Sequence, residues 1–404
     1  MDVEIRKLER ERVAEAVRML FVAFGDLPRQ REVDLEERVL GEGTWYGALD
    51  GEAIVGSAAH IPLRMTVPGS ELTLGAVTSV GVLPTHRRRG VLTALMRRQL
   101  DDLRGAELAV AGLWASEAGI YLRFGYGHAI PAASFSIERP YNAFSSDVPT
   151  SGRVRLIERD DAIRQLAPIY DRVRLERPGF LERDEKWWEY LLEHHHDEKQ
   201  QAAYFALHEG ADGPDGYARY RIERKWAIEG PRSVLEVDEV VAATDDAYAA
   251  LWRYVLDVDL VHTVRGENHP TDEPLFHMLR EPRRLGFSLR DGLWLRLVDV
   301  PTALASRRYR AGGRLVVEVR DGFCPGNDGR FELEGDRDGA TCRETDRDPD
   351  LVCDVRDLGA AFMGGVPVTT LVRAGRVVEE TDGAALRTDA MFAWDRTPWC
   401  SHVF

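Results

Sequence analysis

The run from residue 77 to 127 constrains this chain more than any other stretch. It opens on a β-rich segment, Val77-Thr78-Ser79-Val80-Gly81-Val82-Leu83. A basic loop follows, Arg87-Arg88-Arg89-Gly90, and then Leu92, Leu95, Met96, Leu100 and Leu103, the spacing of an amphipathic helix over about 90–104. Residues 108–114 are nearly continuously apolar, as in a strand buried on both faces. A short helix is expected over 117–123, stopped by Gly125 and Gly127. The loop sits where a helix N-terminus presents free N–H groups and a partial positive charge, and Gly90 lets a ligand approach the backbone. With three arginines beside it, the loop predicts a pyrophosphate site.

Composition narrows the partners. The chain has 404 residues, 44% hydrophobic and 30% charged, which predicts a globular protein of two or three domains. The net charge of −15 argues against nucleic acid as a partner, since phosphate backbones need a basic footprint. No apolar run reaches the length of a membrane span, and the first residues lack a signal-peptide core, so no membrane association and a cytoplasmic location are expected. Cysteines at 324, 342, 353 and 400 lack CxxC spacing and read as reduced thiols, with no metal site. The run His194-His195-His196-Asp197-Glu198 is set aside as a metal site because adjacent histidines point apart. Trp187, Trp188 and Tyr190 read as core or interface.

The pattern divides into three units, at 1–150, 151–290 and 291–404. In the first, a helix over 9–22 precedes strands at 45–49 and 53–61 around Asp50-Gly51, and Pro68-Gly69-Ser70 marks a second hairpin turn. In the second, a helix over 160–175 and strands at 203–208 and 217–222 lead into a strand (234–242), a helix (246–255) and a strand (258–264). That order repeats the first unit as a duplication of pattern and not of sequence. The third opens with a strand at 292–297 and a helix over 301–309. Strands at 315–319, 330–334 and 351–355 and helices at 358–363 and 384–392 complete it.

Arg87-x-x-Gly90 after a β-strand resembles the acetyl-CoA signature of the GNAT superfamily of N-acetyltransferases, Q/R-x-x-G-x-G/A, with Leu92 in place of the final small residue. Ala115-Ser116-Glu117-Ala118-Gly119-Ile120-Tyr121-Leu122-Arg123-Phe124-Gly125-Tyr126-Gly127 extends the likeness, with a tyrosine four residues before a Gly-aromatic pair. The whole chain resembles the enhanced intracellular survival (Eis) acetyltransferases. That resemblance implies an α+β protein of two tandem GNAT-type α/β domains followed by a sterol-carrier-protein-like domain. It also implies acetyl-CoA as co-substrate, a primary amine as acceptor (aminoglycoside, lysine side chain or other amine), and a homo-oligomer, hexameric in the family. A longer-chain acyltransferase and a non-catalytic CoA- or lipid-binding protein stay open as alternatives.

Residue by residue, the resemblance assigns Val80, Gly81 and Val82 to the pantetheine arm. It assigns Arg88, Arg89, Gly90, Val91, Leu92 and Thr93 to the pyrophosphate, and Ser116 and Glu117 to further cofactor contacts. Tyr121 is the implied general acid, with Tyr126 as the rival phenol. The terminal carboxylate of Phe404 is the implied general base, with His402 as rival, and Asp26 matches an acid lining the substrate pocket. Val403 stands where the family commonly has an acid. Only the first GNAT domain is expected to bind cofactor. Where the second should carry its phosphate loop it reads Ala242-Ala243-Thr244-Asp245-Asp246-Ala247, with neither Gly nor Arg and with two carboxylates to repel an anion. The third domain is expected to be structural, its cavity filled by its own helices.

Overall fold

The computed structural model describes residues 3–197 and 202–404. Two compact units divide the chain. One comprises Met1–Ile130, Gly292–Asp395 and Val403–Phe404, the other Pro131–Asp291 and Arg396–His402.

In the first unit the elements run β1 (Glu4–Lys7), α1 (Val13–Phe24), α2 (Gln30–Leu40), β2 (Thr44–Asp50), β3 (Ala53–Val67), β4 (Ser70–Val82), α3 (Val91–Gly105), β5 (Val110–Trp114) and α4 (Ala118–Tyr121). Strands β1 to β5 are neighbours in sequence order. The first four are antiparallel, with two-residue turns joining β2 to β3 and β3 to β4 and the helices α1 and α2 between β1 and β2. Gly51 and Gly69 both hold positive φ (58° and 71°) in those turns, and Pro68 before Gly69 is the residue order of a type II turn. Strand β5 runs parallel to β4, since α3 carries the chain back across the sheet. Helix α3 buries Leu95, Met96, Leu100 and Leu103 of the expected stripe and adds Val91, while Leu92 is only half-buried. Gln99 sits in that stripe because its amide donates to the Ala59 carbonyl at 2.9 Å.

The second unit repeats this plan. After β6 (Gly127–Glu138) come β7 (Arg153–Ile157), α5 (Arg159–Arg174), α6 (Glu185–Asp197), β8 (Ala203–Gly210) and β9 (Gly213–Glu223). A small hairpin β10 (Trp226–Ala227) and β11 (Gly230–Pro231) precedes β12 (Ser233–Ala242), α7 (Asp245–Asp257), β13 (Val261–His269) and α8 (Leu275–Met278). The sheet order is β6-β13-β12-β9-β8-β7. Only β12 and β13 are parallel, joined by α7 as β4 and β5 are joined by α3. The duplication read from the pattern is therefore a duplication of topology.

From β14 (Ser288–Leu297) the chain returns to the first unit, where residues 293–297 pair antiparallel with β5. There follow α9 (Val300–Ala305), β15 (Gly313–Arg320), β16 (Gly329–Gly335), β17 (Ala340–Glu344), β18 (Leu351–Asp354), α10 (Val355–Ala361), α11 (Val368–Arg373), β19 (Val377–Glu379) and α12 (Ala384–Phe392). They form a five-stranded sheet, β17-β16-β15-β18-β19. Helix α9 stops short of its expected end at 309. Arg307 instead turns inward, donates to the Phe362 and Phe392 carbonyls and lies 4.6 Å from the Tyr309 ring centre. Between this sheet and α10–α12 the cavity measures about 20 Å³, lined by Leu315, Val317, Leu358 and Phe392 among others. That is room for about one water.

Eleven elements have no counterpart in the pattern: β1, α2, β6, β7, α6, β10, β11, α8, β17, α11 and β19. Helix α2 buries only Val33, Val39 and Leu40 in a run dominated by charge, too narrow a stripe to show periodicity.

Candidate active site

Strands β4 and β5 pair only at Leu74–Ala76 against Val110–Gly112. Beyond that β4 continues to Val82 and β5 to Trp114, so the two part and leave backbone unpaired between them. A bulge directs the parting. Ser57 pairs Gly81 while Ala59 pairs Thr78, which gives β4 one residue more than β3. Ser79 takes up the excess at φ 52°, and its carbonyl accepts the Ser57 hydroxyl at 2.8 Å.

A cleft of about 490 Å³ opens there. One wall is the peptide strip Val80, Gly81 and Val82; the floor is Arg88, Gly90, Val91, Leu92 and Thr93; the far wall is Ser116, Glu117 and Tyr121. Eleven of the fourteen residues singled out from the sequence thus line one cavity. Gly81 also eases packing against α1. A Cβ there would come within 2.6 Å of Leu20 Cδ1, so the glycine lets α1 lie against the strand.

The loop divides its three arginines by role. Arg87 is a strut: its Nε donates to the Val82 carbonyl at 3.0 Å and its Nη2 to the Ala23 carbonyl at 2.6 Å, tying the end of α1 to the end of β4. Arg88 is exposed, lines the cleft and holds φ 62°. A non-glycine residue in that region costs on the order of 1 kcal/mol or more, a strain that gathers at functional sites. Arg89 is exposed and is not among the lining residues. Gly90, at φ 81°, is the N-cap of α3, and no side chain caps this helix. Its first N–H groups therefore stay open toward the cleft floor.

Tyr121 lies on α4 with 6% of its surface exposed. Burial, reinforced by the charge of Glu117, pushes its phenol up to about 12, so it keeps its proton at neutral pH. Tyr126 meets it edge-on with ring centres 6.0 Å apart, but is wholly buried and does not line the cleft. The turn between them depends on Gly125 at φ 80°, where a Cβ would overlap the Arg296 guanidinium. At Gly127 a Cβ would overlap the Arg356 carbonyl of α10.

Three expected residues lie outside the lining. The Asp26 carboxylate accepts the Leu27 N–H at 2.7 Å, a turn contact just past α1. Phe404 is half-buried and groups with the unit that holds Tyr121. Arg89 is the third. The cleft also recruits Ala23, Phe24, His86, Arg87, Ile120 and Arg123. Arg87 carries a signal, being the first residue of the Arg-x-x-Gly motif. Ala23 and Phe24 carry none, because only the tertiary approach of α1 brings them there.

In the second unit, Thr244 occupies the equivalent helix start. Its hydroxyl accepts the Ala247 N–H at 3.2 Å and donates to Asp215 at 2.9 Å, with Asp245 and Asp246 in the first turn. That N-terminus is capped by the chain itself and carries negative charge. His402 is buried with Arg183 Nε donating to its Nδ1 at 3.3 Å. Burial and the Arg183 charge hold its ring well below the ordinary histidine range. The run 194–198 lies outside the residues whose side chains are described. Among the described residues no three His, Cys, Asp or Glu side chains gather as for a metal, and no helix is long and apolar enough to cross a membrane.

Models of the acetyltransferase (GNAT) domain match residues 4–129 and 179–297, and a sterol carrier protein domain matches 300–401. An uncharacterized N-acetyltransferase of Streptomyces coelicolor is 38% identical over 415 residues, covering all of both chains. The N-acetyltransferase Eis of Mycobacterium tuberculosis is 35% identical over 360 residues, 86% of this chain and 85% of its own. The crystal structure of Eis1 from Mycobacterium abscessus superposes with a TM-score of 0.86 at 36% identity over the whole of both chains. A GCN5-related N-acetyltransferase from Anabaena variabilis shares the fold, with a TM-score of 0.85 at 19% identity. This chain belongs to the Eis family of N-acetyltransferases in the GNAT superfamily, with two tandem acetyltransferase domains ahead of a sterol-carrier-protein-like domain.

Proposed function

We propose that the cleft between β4 and β5 transfers an acetyl group to a primary amine, with Tyr121 as general acid and the Phe404 carboxylate as general base. The observation that carries this is the convergence on one cavity of a peptide strip, an uncapped helix N-terminus beside Arg88, and a protonated phenol.

The residues fit acetyl-CoA. Val80–Val82 offer backbone N–H and C=O groups to an amide-bearing arm. Arg88 has no hydrogen-bond or ion-pair partner among the described residues, so its charge and the open N–H groups of α3 suit a pyrophosphate. When bound, acetyl-CoA supplies the acetyl group as a thioester. Tyr121 holds a proton at its Oη for the departing sulfur. The Phe404 carboxylate accepts a proton from the substrate's ammonium group, leaving a neutral amine to attack directly. His402 suits that task poorly. Its Nδ1 already accepts from Arg183, so its neutral ring carries the proton on Nε2. Aminoglycosides, lysine side chains and other primary amines are the acceptors proposed, in a hexameric assembly.

Thiol release from acetyl-CoA and longer acyl-CoA thioesters, with a panel of polyamines, aminoglycosides and lysine peptides, identifies the turnover substrates. The base is then tested by adding one Gly after Phe404, which moves the carboxylate by about 3.3 Å. The extended protein is expected to bind acetyl-CoA normally and lose about 10²-fold or more in turnover, whereas an N-terminal tag leaves the rate unchanged. Full activity after a verified C-terminal extension excludes the carboxylate.

A further inference from the structure

Residues 397 and 399–402, all in the second unit, are each held by a hydrogen bond. The Thr397 carbonyl accepts from Arg177 Nε at 3.1 Å, and Trp399 N donates to the Pro178 carbonyl at 2.8 Å. The Trp399 indole donates to the Asn268 carbonyl at 2.9 Å, while the Asn268 amide donates to the Cys400 carbonyl at 3.0 Å. The centre of the grip is Arg183. Its Nη1 and Nη2 donate to the two carboxylate oxygens of Glu239 at 3.0 and 2.9 Å. Nη2 also donates to Ser401 Oγ at 3.0 Å, and Nε to His402 Nδ1 at 3.3 Å. The guanidinium lies 3.9 Å from the Tyr170 ring centre and 5.0 Å from that of Trp188. Tyr217 donates to Glu239 at 2.9 Å, and the His402 ring packs on Trp187 at 5.3 Å.

Both side chains of the Arg183–Glu239 pair are fully buried. Such a pair is expensive to desolvate, and apolar residues of similar volume stabilise a core as well or better. Stability alone therefore does not account for an ion pair among these aromatic rings. What the pair does uniquely is present a planar fork with three directions of N–H: one edge to Glu239, the others to the side chains of two successive tail residues. Lysine has no such geometry.

Phe404 lies two residues beyond His402, and two extended residues span at most about 7 Å. Whatever fixes Ser401 and His402 fixes the origin from which the terminal carboxylate is placed. We infer that Arg183, oriented by Glu239, is the positioning residue for the C-terminal carboxylate, acting through Ser401 and His402. The inference rests on the Phe404 carboxylate being the base. Misplacing a catalytic group by about 1 Å can cost about 10²-fold in rate.

The test is a two-by-two cycle on the full chain. Arg183→Met combined with Glu239→Gln removes both charges together, so neither is left buried alone. It is measured with the native end and with one Gly added after Phe404. Turnover is followed by thiol release with acetyl-CoA and the fastest amine of the panel. With the native end, kcat is expected to fall about 10- to 100-fold while the KM for acetyl-CoA moves less than about threefold. In the extended protein the same substitutions are expected to cause no further loss, because the group they position is already displaced. Unchanged kcat with a native end, in a protein that extension inactivates, overturns the positioning role and leaves the base in place. An equal further loss in the extended protein also overturns it, since the pair then acts elsewhere. Extension without effect overturns the base assignment, and this inference with it. If the double variant shows no cooperative thermal transition, Arg183→Lys runs the same cycle. It keeps the charge opposite Glu239 with an ammonium that cannot serve Ser401 and His402 together.

Discussion

Tyr121 and Tyr126 have the same chemistry and meet edge-on, yet their surroundings differ. Tyr121 lines the cleft, and burial with the nearby Glu117 pushes it up to about 12. Tyr126 has no opening to the cleft, and its hydroxyl has no partner among the described residues. Tyr121→Phe is expected to leave acetyl-CoA affinity within about twofold and to lower kcat by about 10²-fold or more, measured by calorimetry and thiol release. Tyr126→Phe is expected to leave kcat within a few-fold. Because the raised phenol stays protonated, the wild-type rate shows no alkaline fall from this group between pH 7 and 10. A larger loss in Tyr126→Phe reverses the assignment. The distinction was legible in the sequence only as a preference. The spacing before Gly125 favours Tyr121, but that Tyr121 and not Tyr126 lines the cleft is a tertiary fact that no pattern along the chain reveals.

Among elements, the legible ones carry a local signal. The strand–loop–helix run from β4 to α3 showed itself because β-rich residues give way to a 3.6-residue stripe at an Arg-Gly boundary, and both hairpin turns had their glycines in view. The bulge at Ser79 had no such mark. Its extra residue exists only relative to β3, so pairing had to be known before it could be seen. The same holds for Arg87, read as one of three phosphate-facing arginines and found clamping α1 to β4. The turn after α4 gives a prediction at this scale. Gly125→Ala places a side chain at φ 80° and against Arg296, whereas Gly81→Ala meets only the flexible end of Leu20. The left-handed backbone alone costs about 1–2 kcal/mol. Scanning calorimetry is therefore expected to show a clearly lower melting temperature for Gly125→Ala than for Gly81→Ala. Equal melting temperatures remove the steric account of that turn.

At the scale of the whole molecule, the chain uses one topology twice with two different helix starts. Strand β12, helix α7 and strand β13 repeat β4, α3 and β5, but Thr244 caps the second helix and two aspartates follow it. Both halves of that contrast were legible, since the absence of Gly and Arg at 242–247 is a local fact. The division into compact units was not, because residues 292–395 close onto the first 130 by contacts that no pattern along the chain reveals. Calorimetric titration of the intact protein with acetyl-CoA, beside Arg88→Glu, tests the claim that one cleft per chain does this chemistry. One binding event per chain, weakened at least about tenfold by the substitution, is the predicted result. Two events per chain, or an affinity indifferent to Arg88→Glu, contradicts it.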